Sequence, residues 1–223
     1  MLSFVETVCK IYSNVINEAS LSTQVCLGDK IMKRLLTVFS IVMISAFAAA
    51  AQQTAGEVRP VASVDLQKYS GQWYEIAKYP NKFQKQCVGN TTATYTIKSA
   101  EKLEVLNRCL ERDGTTSSAK GAGKVVDKQT NAKLKVRFAP GFLSFLPQVW
   151  GNYWVIDLDP EYRYSVVGEP KREYLWILSR EPEMSDALYQ QILRKVEAMG
   201  FQPGKLEKTP QGMESLKGTV VTD

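Results

Sequence analysis

The sequence predicts an all-β fold: an eight-stranded antiparallel up-and-down β-barrel, with one α-helix packed outside it at the C-terminal end. Three observations predict it. Short runs rich in Val, Ile, Thr, Tyr, Trp and Phe recur from Gly71 onward, each bounded by turn residues. There are eight such runs, the number that closes a barrel able to hold one small ligand. After the eighth the period changes, and Leu188, Ile192, Val196 and Met199 recur at helical spacing.

The elements follow in order along the 223 residues. Met32-Lys33-Arg34, the apolar stretch Leu35 to Phe47 and the small residues Ala48 to Ala51 form a positive n-region, an h-region and a cleavage site. Residues 32–51 are therefore expected to be a signal peptide cleaved near Ala51. The apolar stretch falls short of the roughly 20 residues that a bilayer span requires. A lipoprotein signal needs a Cys at the cleavage point, and none stands there, which favours a free periplasmic or secreted product and leaves outer-membrane association open. Residues 1–31 precede that complete signal and read as an over-extended start or a long n-region. Residues 52–64 are small, polar and Pro-containing, a flexible lead-in. The barrel and helix occupy 65–210, and 211–223 form a tail.

Within the barrel, strands are expected near 72–80, 90–98, 102–111, 117–127, 133–139, 149–158, 162–168 and 173–180. The breaks carry turn chemistry, as at Asp113-Gly114, Pro140-Gly141 and Asp159-Pro160. Ser185 suits a helix N-cap and Gly200 a helix stop. Lys205 to Thr209 has the makings of a last extended piece that pairs with an edge.

Composition narrows the chemistry. From Gln52 onward 24 Lys and Arg stand against 20 Asp and Glu, scattered without a basic block, which argues against a nucleic-acid partner. The chain has no His. Ser-His-Asp and Cys-His catalysis and His-based metal sites are thereby removed, and neither metal nor cofactor is expected. Cys87 and Cys109 remain in the exported part and read as one disulfide, with two free thiols the alternative. If the second and third strands turn near Ala100, Cys109 falls opposite Thr91, and a bent strand start brings Cys87 within reach.

The segment Gly71-Gln72-Trp73-Tyr74-Glu75-Ile76-Ala77 resembles the Gly-x-Trp signature of the lipocalin family. Its continuation through Lys78-Tyr79-Pro80-Asn81-Lys82-Phe83 is similar to the bacterial lipocalin and apolipoprotein D branch. Leu158 to Tyr164 and Glu173 to Arg180 resemble the family's second and third motifs, in the expected order. The resemblance implies a calycin barrel around a hydrophobic ligand. It also implies that Gly71, Trp73 and Arg180 plug the closed end. Strand direction agrees: the first strand starts where the eighth must finish, so Arg180 arrives beside Trp73.

Function is then expected at the opposite, open end. The loop 140–147 spends Phe142, Leu143, Phe145 and Leu146 on a surface position. It is either a ligand gate or membrane-touching lip, or core folded back into the mouth. By resemblance to the apolipoprotein D branch, Trp154 faces inward, which places Asn152 and Trp150 on the same face. Tyr174 and Trp176 join them, while Tyr74 and Glu75 stay unresolved between in and out. The expected function is binding, transport or storage of a fatty acid, lysophospholipid or similar ligand in the cell envelope, without catalysis and with no catalytic residue. Two alternatives stand beside it. One is a lipocalin-fold isomerase or de-epoxidase using a free Cys or Glu75. The other is a membrane-contacting envelope protein.

Overall fold

A computed structural model describes residues 56–213. The expected signal peptide, the 1–31 segment and residues 214–223 lie outside the described residues.

Eight strands follow one another around a closed antiparallel barrel: β1 Gly71–Lys78, β2 Cys87–Ser99, β3 Lys102–Glu111, β4 Thr116–Val125, β5 Lys133–Arg137, β6 Gly151–Leu158, β7 Tyr164–Gly168 and β8 Leu175–Ser179. β8 returns to β1, with Tyr74 opposite Ser179, and Gly71 to Tyr74 pair with Thr92 to Tyr95 to close the ring. Strand six starts at Gly151 rather than 149 because Pro147 to Val149 form a 3-10 turn.

Alternation along the strands separates two apolar clusters. Trp73, Tyr95, Leu103, Val105, Leu134, Tyr153, Val155 and Leu178 fill the barrel interior. Ile76, Ile156, Tyr164, Val166, Leu175 and Ile177 form an outer cluster with Tyr189, Ile192 and Val196 of the helix. β6, β7, β8 and β1 are thus apolar on both faces, and all five residues of β7 are buried. The helix Asp186–Ala198 covers these four strands from outside. Ser185 caps that long helix by accepting from the Leu188 N–H, and Gly200 ends it at φ +82°. Lys195 fastens it to the barrel, its Nζ 2.8 Å from Asp157 Oδ2 and 3.1 Å from the Tyr164 hydroxyl.

Residues 56–64 depart from the expected flexible lead-in. Val58 and Val64 are buried, the Val61 N–H donates to Val155 O (2.9 Å) and the Val64 N–H to Thr130 O (2.7 Å). Asp65 then caps α1, Leu66–Tyr69, a single turn that precedes β1 at the closed end. At the other terminus β9, Glu207–Lys208, pairs with Lys78 and Ala77. Beyond it the Gln211 amide donates to both Glu75 O (2.8 Å) and Thr91 O (3.1 Å). The C-terminal segment therefore bridges β1 and β2 where their direct pairing has stopped.

One face differs from the expectation. Tyr153 and Val155 are the inward residues of β6, and Trp154 packs on the outer cluster. Trp150, Asn152 and Trp154 consequently stand on the outward phase. The reason lies in the Tyr-Trp-Val-Ile run: with helix outside and core inside, both phases are apolar, so hydrophobicity alone does not distinguish them.

Candidate functional site

The closed end is sealed by the signature residues. The Arg180 guanidinium lies 3.8 Å from the Trp73 ring centroid and donates to Lys68 O (2.6 Å), Ser70 O (2.9 Å) and Gln72 O (2.7 Å). The Trp73 indole N–H donates to Tyr69 O (2.8 Å). Gly71 sits at φ +89°, in the left-handed region, with Arg180 Nη1 3.5 Å from where a Cβ would stand. Above this plug the Tyr153 hydroxyl meets those of Tyr69 and Tyr95, each at 2.8 Å, and Tyr69 reaches Ser165 Oγ at 3.0 Å. Burial pushes the Tyr69 hydroxyl up to about 12 and raises Tyr95 and Tyr153 as well, so the floor is a neutral hydrogen-bonded layer.

Above the floor the barrel opens into a cup. Ala93, Val136 and Trp176 flank the interior cluster yet are only half-buried, and Ala119 is exposed although it occupies an inward position of β4. Inward phase on β4 is fixed by Gly123, whose missing Cβ points at Leu103 and Val105. The same phase carries Ser117, Ala119 and Gly121, so one wall of the cup is built from small residues. At Gly121 a Cβ would lie 2.8 Å from the Phe138 ring, which therefore leans over the mouth. Asn107, on the neighbouring inward phase of β3, has a buried Oδ1 without a hydrogen-bond partner.

The facing wall is aromatic. Trp176 points inward, and Tyr174 stacks on it with centroids 5.7 Å apart and planes at 11°. Phe83, from the β1–β2 loop, lies 5.8 Å beyond Tyr174. The Trp176 indole donates to Gln84 Oε1 (3.1 Å), and Gln84 Nε2 donates to Glu75 Oε2 (2.6 Å). The other Glu75 oxygen accepts from the Thr209 hydroxyl (2.6 Å). Burial raises the Glu75 carboxyl above its ordinary range, with the Thr209 and Gln84 bonds pulling it back. This network joins the first open-end loop, the cup wall and the C-terminal segment.

The rim is fastened in two places. Cys87 and Cys109 form a disulfide with Cα atoms 5.5 Å apart, tying the β1–β2 loop to β3. Register shifts on either side of Gly89 bend the start of β2 and let Cys87 reach a partner that regular pairing would miss. Arg137 donates to Ala139 O (2.6 Å) and Pro140 O, which turns the chain into the 138–150 loop. Two 3-10 turns there leave Leu143 and Leu146 half-buried and hold Phe142 and Phe145 out, each 75% exposed.

Of the sequence candidates, the structure brings Tyr174 and Trp176 to the cup and Phe142 and Phe145 to its rim. It places Trp150 outside, its ring 4.2 Å from Lys124 Nζ and its N–H on Ser144 O (2.8 Å). Asn152 is exposed opposite Lys135, and Trp154 lies beneath Lys133 Nζ at 4.7 Å. Sequence reasoning missed Asn107, Gln84, Phe138 and the small-residue wall. The alternation Ser117-x-Ala119-x-Gly121-x-Gly123 was the available signal for that wall.

A barrel plugged at one end, with small and aromatic inward residues left half-buried at the other, has the architecture of barrels that hold one small molecule. Residues 64–211 match the family model of the lipocalin-like domain, and the chain belongs to the lipocalin family. It is 40% identical to temperature-induced lipocalin-1 of Arabidopsis thaliana over 156 residues, covering 70% of this chain and 83% of that one. It is 37% identical to the outer membrane lipoprotein Blc of Escherichia coli K12 over 149 residues, 66% of this chain and 80% of that protein. Among solved structures, insecticyanin of the tobacco hornworm Manduca sexta superposes with a TM-score of 0.55 at 21% identity, over 70% of this chain and 85% of its own. That likeness shows the fold.

Proposed function

We propose that the cup carries a hydrophobic small molecule with an acyl chain, a fatty acid or lysophospholipid, within the cell envelope and without catalysis. The observation that carries this reading is the upper half of the interior: inward positions that are small or aromatic, apolar, and reachable from solvent. Lipocalins bind small hydrophobic ligands, and burying an acyl chain here would contribute about 25 cal/mol per Å² before ordering costs. The free Asn107 Oδ1 offers the ligand one fixed acceptor. A catalytic reading has less to work with, because Cys87 and Cys109 are joined and both Glu75 oxygens already accept hydrogen bonds. Envelope location rests on the signal-like segment 32–51, the disulfide and the similarity to a protein named as an outer-membrane lipoprotein.

Titration with palmitate and with lysophosphatidylcholine, read by tryptophan fluorescence, tests it. Quenching that saturates and is lost in Trp176→Phe is expected. No response to either lipid overturns the reading.

A second reading rests on a separate observation. Phe142 and Phe145 are among the most exposed large apolar side chains, and they sit on one rim loop. We read residues 140–147 as a lip that touches a membrane transiently, placing the cup mouth where its ligand is found.

A further inference from the structure

The basic residues that are scattered along the sequence gather on one outer wall of the barrel. On the outward phase of β2 to β5 stand eight Lys and Arg against a single acid, Glu104. That acid is already held by Lys98 (3.4 Å) and Lys120 (2.9 Å). The long helix packs on the opposite side, against β6, β7, β8 and β1, so this wall has no cover among the described residues.

Its centre is a ladder of like charges. Lys102 pairs directly with Lys124, and Lys124 directly with Lys135. Like charges directly opposed across strands destabilise a sheet. Stacking of Lys124 on Trp150 relieves part of this, but the next residue across from Lys135 is Asn152, not an acid. Lys133 and Arg137 extend the patch along β5 over Trp154 and Trp150, and Arg108 extends it along β3.

β5 runs from this ladder straight into the loop that holds out Phe142 and Phe145. Cations beside exposed aromatic rings match the boundary of an anionic bilayer, where rings enter the acyl edge and cations meet the head groups. A soluble polyanion would leave the rings without a place.

We propose that this wall docks the barrel on an anionic lipid bilayer, tilted on its β4–β6 edge, with Phe142 and Phe145 inserted and the Lys102-Lys124-Lys135 ladder on the head groups. The proposal builds on the membrane-touching lip and is independent of what the cup holds. It makes lipid charge a requirement.

Co-sedimentation with vesicles of phosphatidylcholine alone, and of phosphatidylcholine mixed with phosphatidylglycerol, tests it. Binding is expected with the mixed vesicles only and should fall steeply as salt is raised. Lys102→Gln, Lys124→Gln and Lys135→Gln together should weaken it on the order of a hundredfold, since each basic residue near an anionic surface contributes about a fivefold factor. The triple variant removes a repulsion, so its unfolding midpoint should equal or exceed that of the wild type, and palmitate quenching should be unchanged. Equal binding to both vesicle types overturns the proposal while leaving the lip intact. Binding to heparin without binding to the mixed vesicles overturns it in favour of a polyanion site. If the triple variant fails to fold, the salt and lipid-charge dependence of the wild type decides the matter alone.

Discussion

The two ends of the barrel are built from opposite materials. At the closed end a large ring and a guanidinium are locked together, and the Arg180 donors and the tyrosine hydroxyls meet partners at 3.0 Å or less. At the open end the inward residues are small, an amide oxygen is unpaired and two phenylalanines stand in solvent. The signature by which the family is recognised belongs to the first end, whereas the proposed binding cup belongs to the second. Strength of motif therefore reports stability here, and function must be read where the motif is absent.

Substitutions can break or sharpen that contrast. The largest effect is expected for Trp73→Ala, which empties the plug and should cost about 3–5 kcal/mol in urea unfolding. A loss below 1 kcal/mol would mean that the closed end does not hold the barrel shut. Next, Cys109→Ser should cost about 3 kcal/mol on the chain-entropy account of a 22-residue separation, and reductant should bring the wild type to the same midpoint.

Glu75→Gln should act through pH. Below the ordinary carboxylate range both folded and unfolded chains are protonated, so variant and wild type should unfold alike. As pH rises the unfolded chain releases its proton while burial makes the folded chain retain it, so wild-type stability falls relative to the variant. Thermal unfolding at acid and neutral pH checks this: the variant should gain at neutral pH only. The smallest change in stability is expected for Phe142→Ser with Phe145→Ser, within about 0.5 kcal/mol of wild type by urea titration. A loss of several times that would return this loop to the core and remove the contrast between the ends.

Much of the fold was legible because its signals are local. Eight alternating runs, a capped helix and a Gly-x-Trp start need only neighbouring residues to be recognised, and strand direction then delivers Arg180 to Trp73. The cup was less legible. On β8 the inward phase of Trp176 follows from its period-2 spacing to Arg180 at the plug. On β6 the sequence holds no such anchor, and Trp154, expected inward, packs on the outer cluster.

What the sequence determined by itself is the eight barrel strands and their order, since period-2 patterning and turn chemistry act along the chain; the disulfide was one of two readings of Cys87 and Cys109, and the plug came with the family resemblance. What only the tertiary structure decided is phase and assembly. A strand covered on both sides carries no polar face to mark its outside, and register shifts at Glu75/Ala77 and Val155/Asp157 interrupt the alternation again. The same physics hid the basic wall. Lysines many residues apart become neighbours only when strands about 4.8 Å apart bring their outward positions into one row. A chain that reads as evenly charged thus folds into a protein with a basic side and a greasy rim.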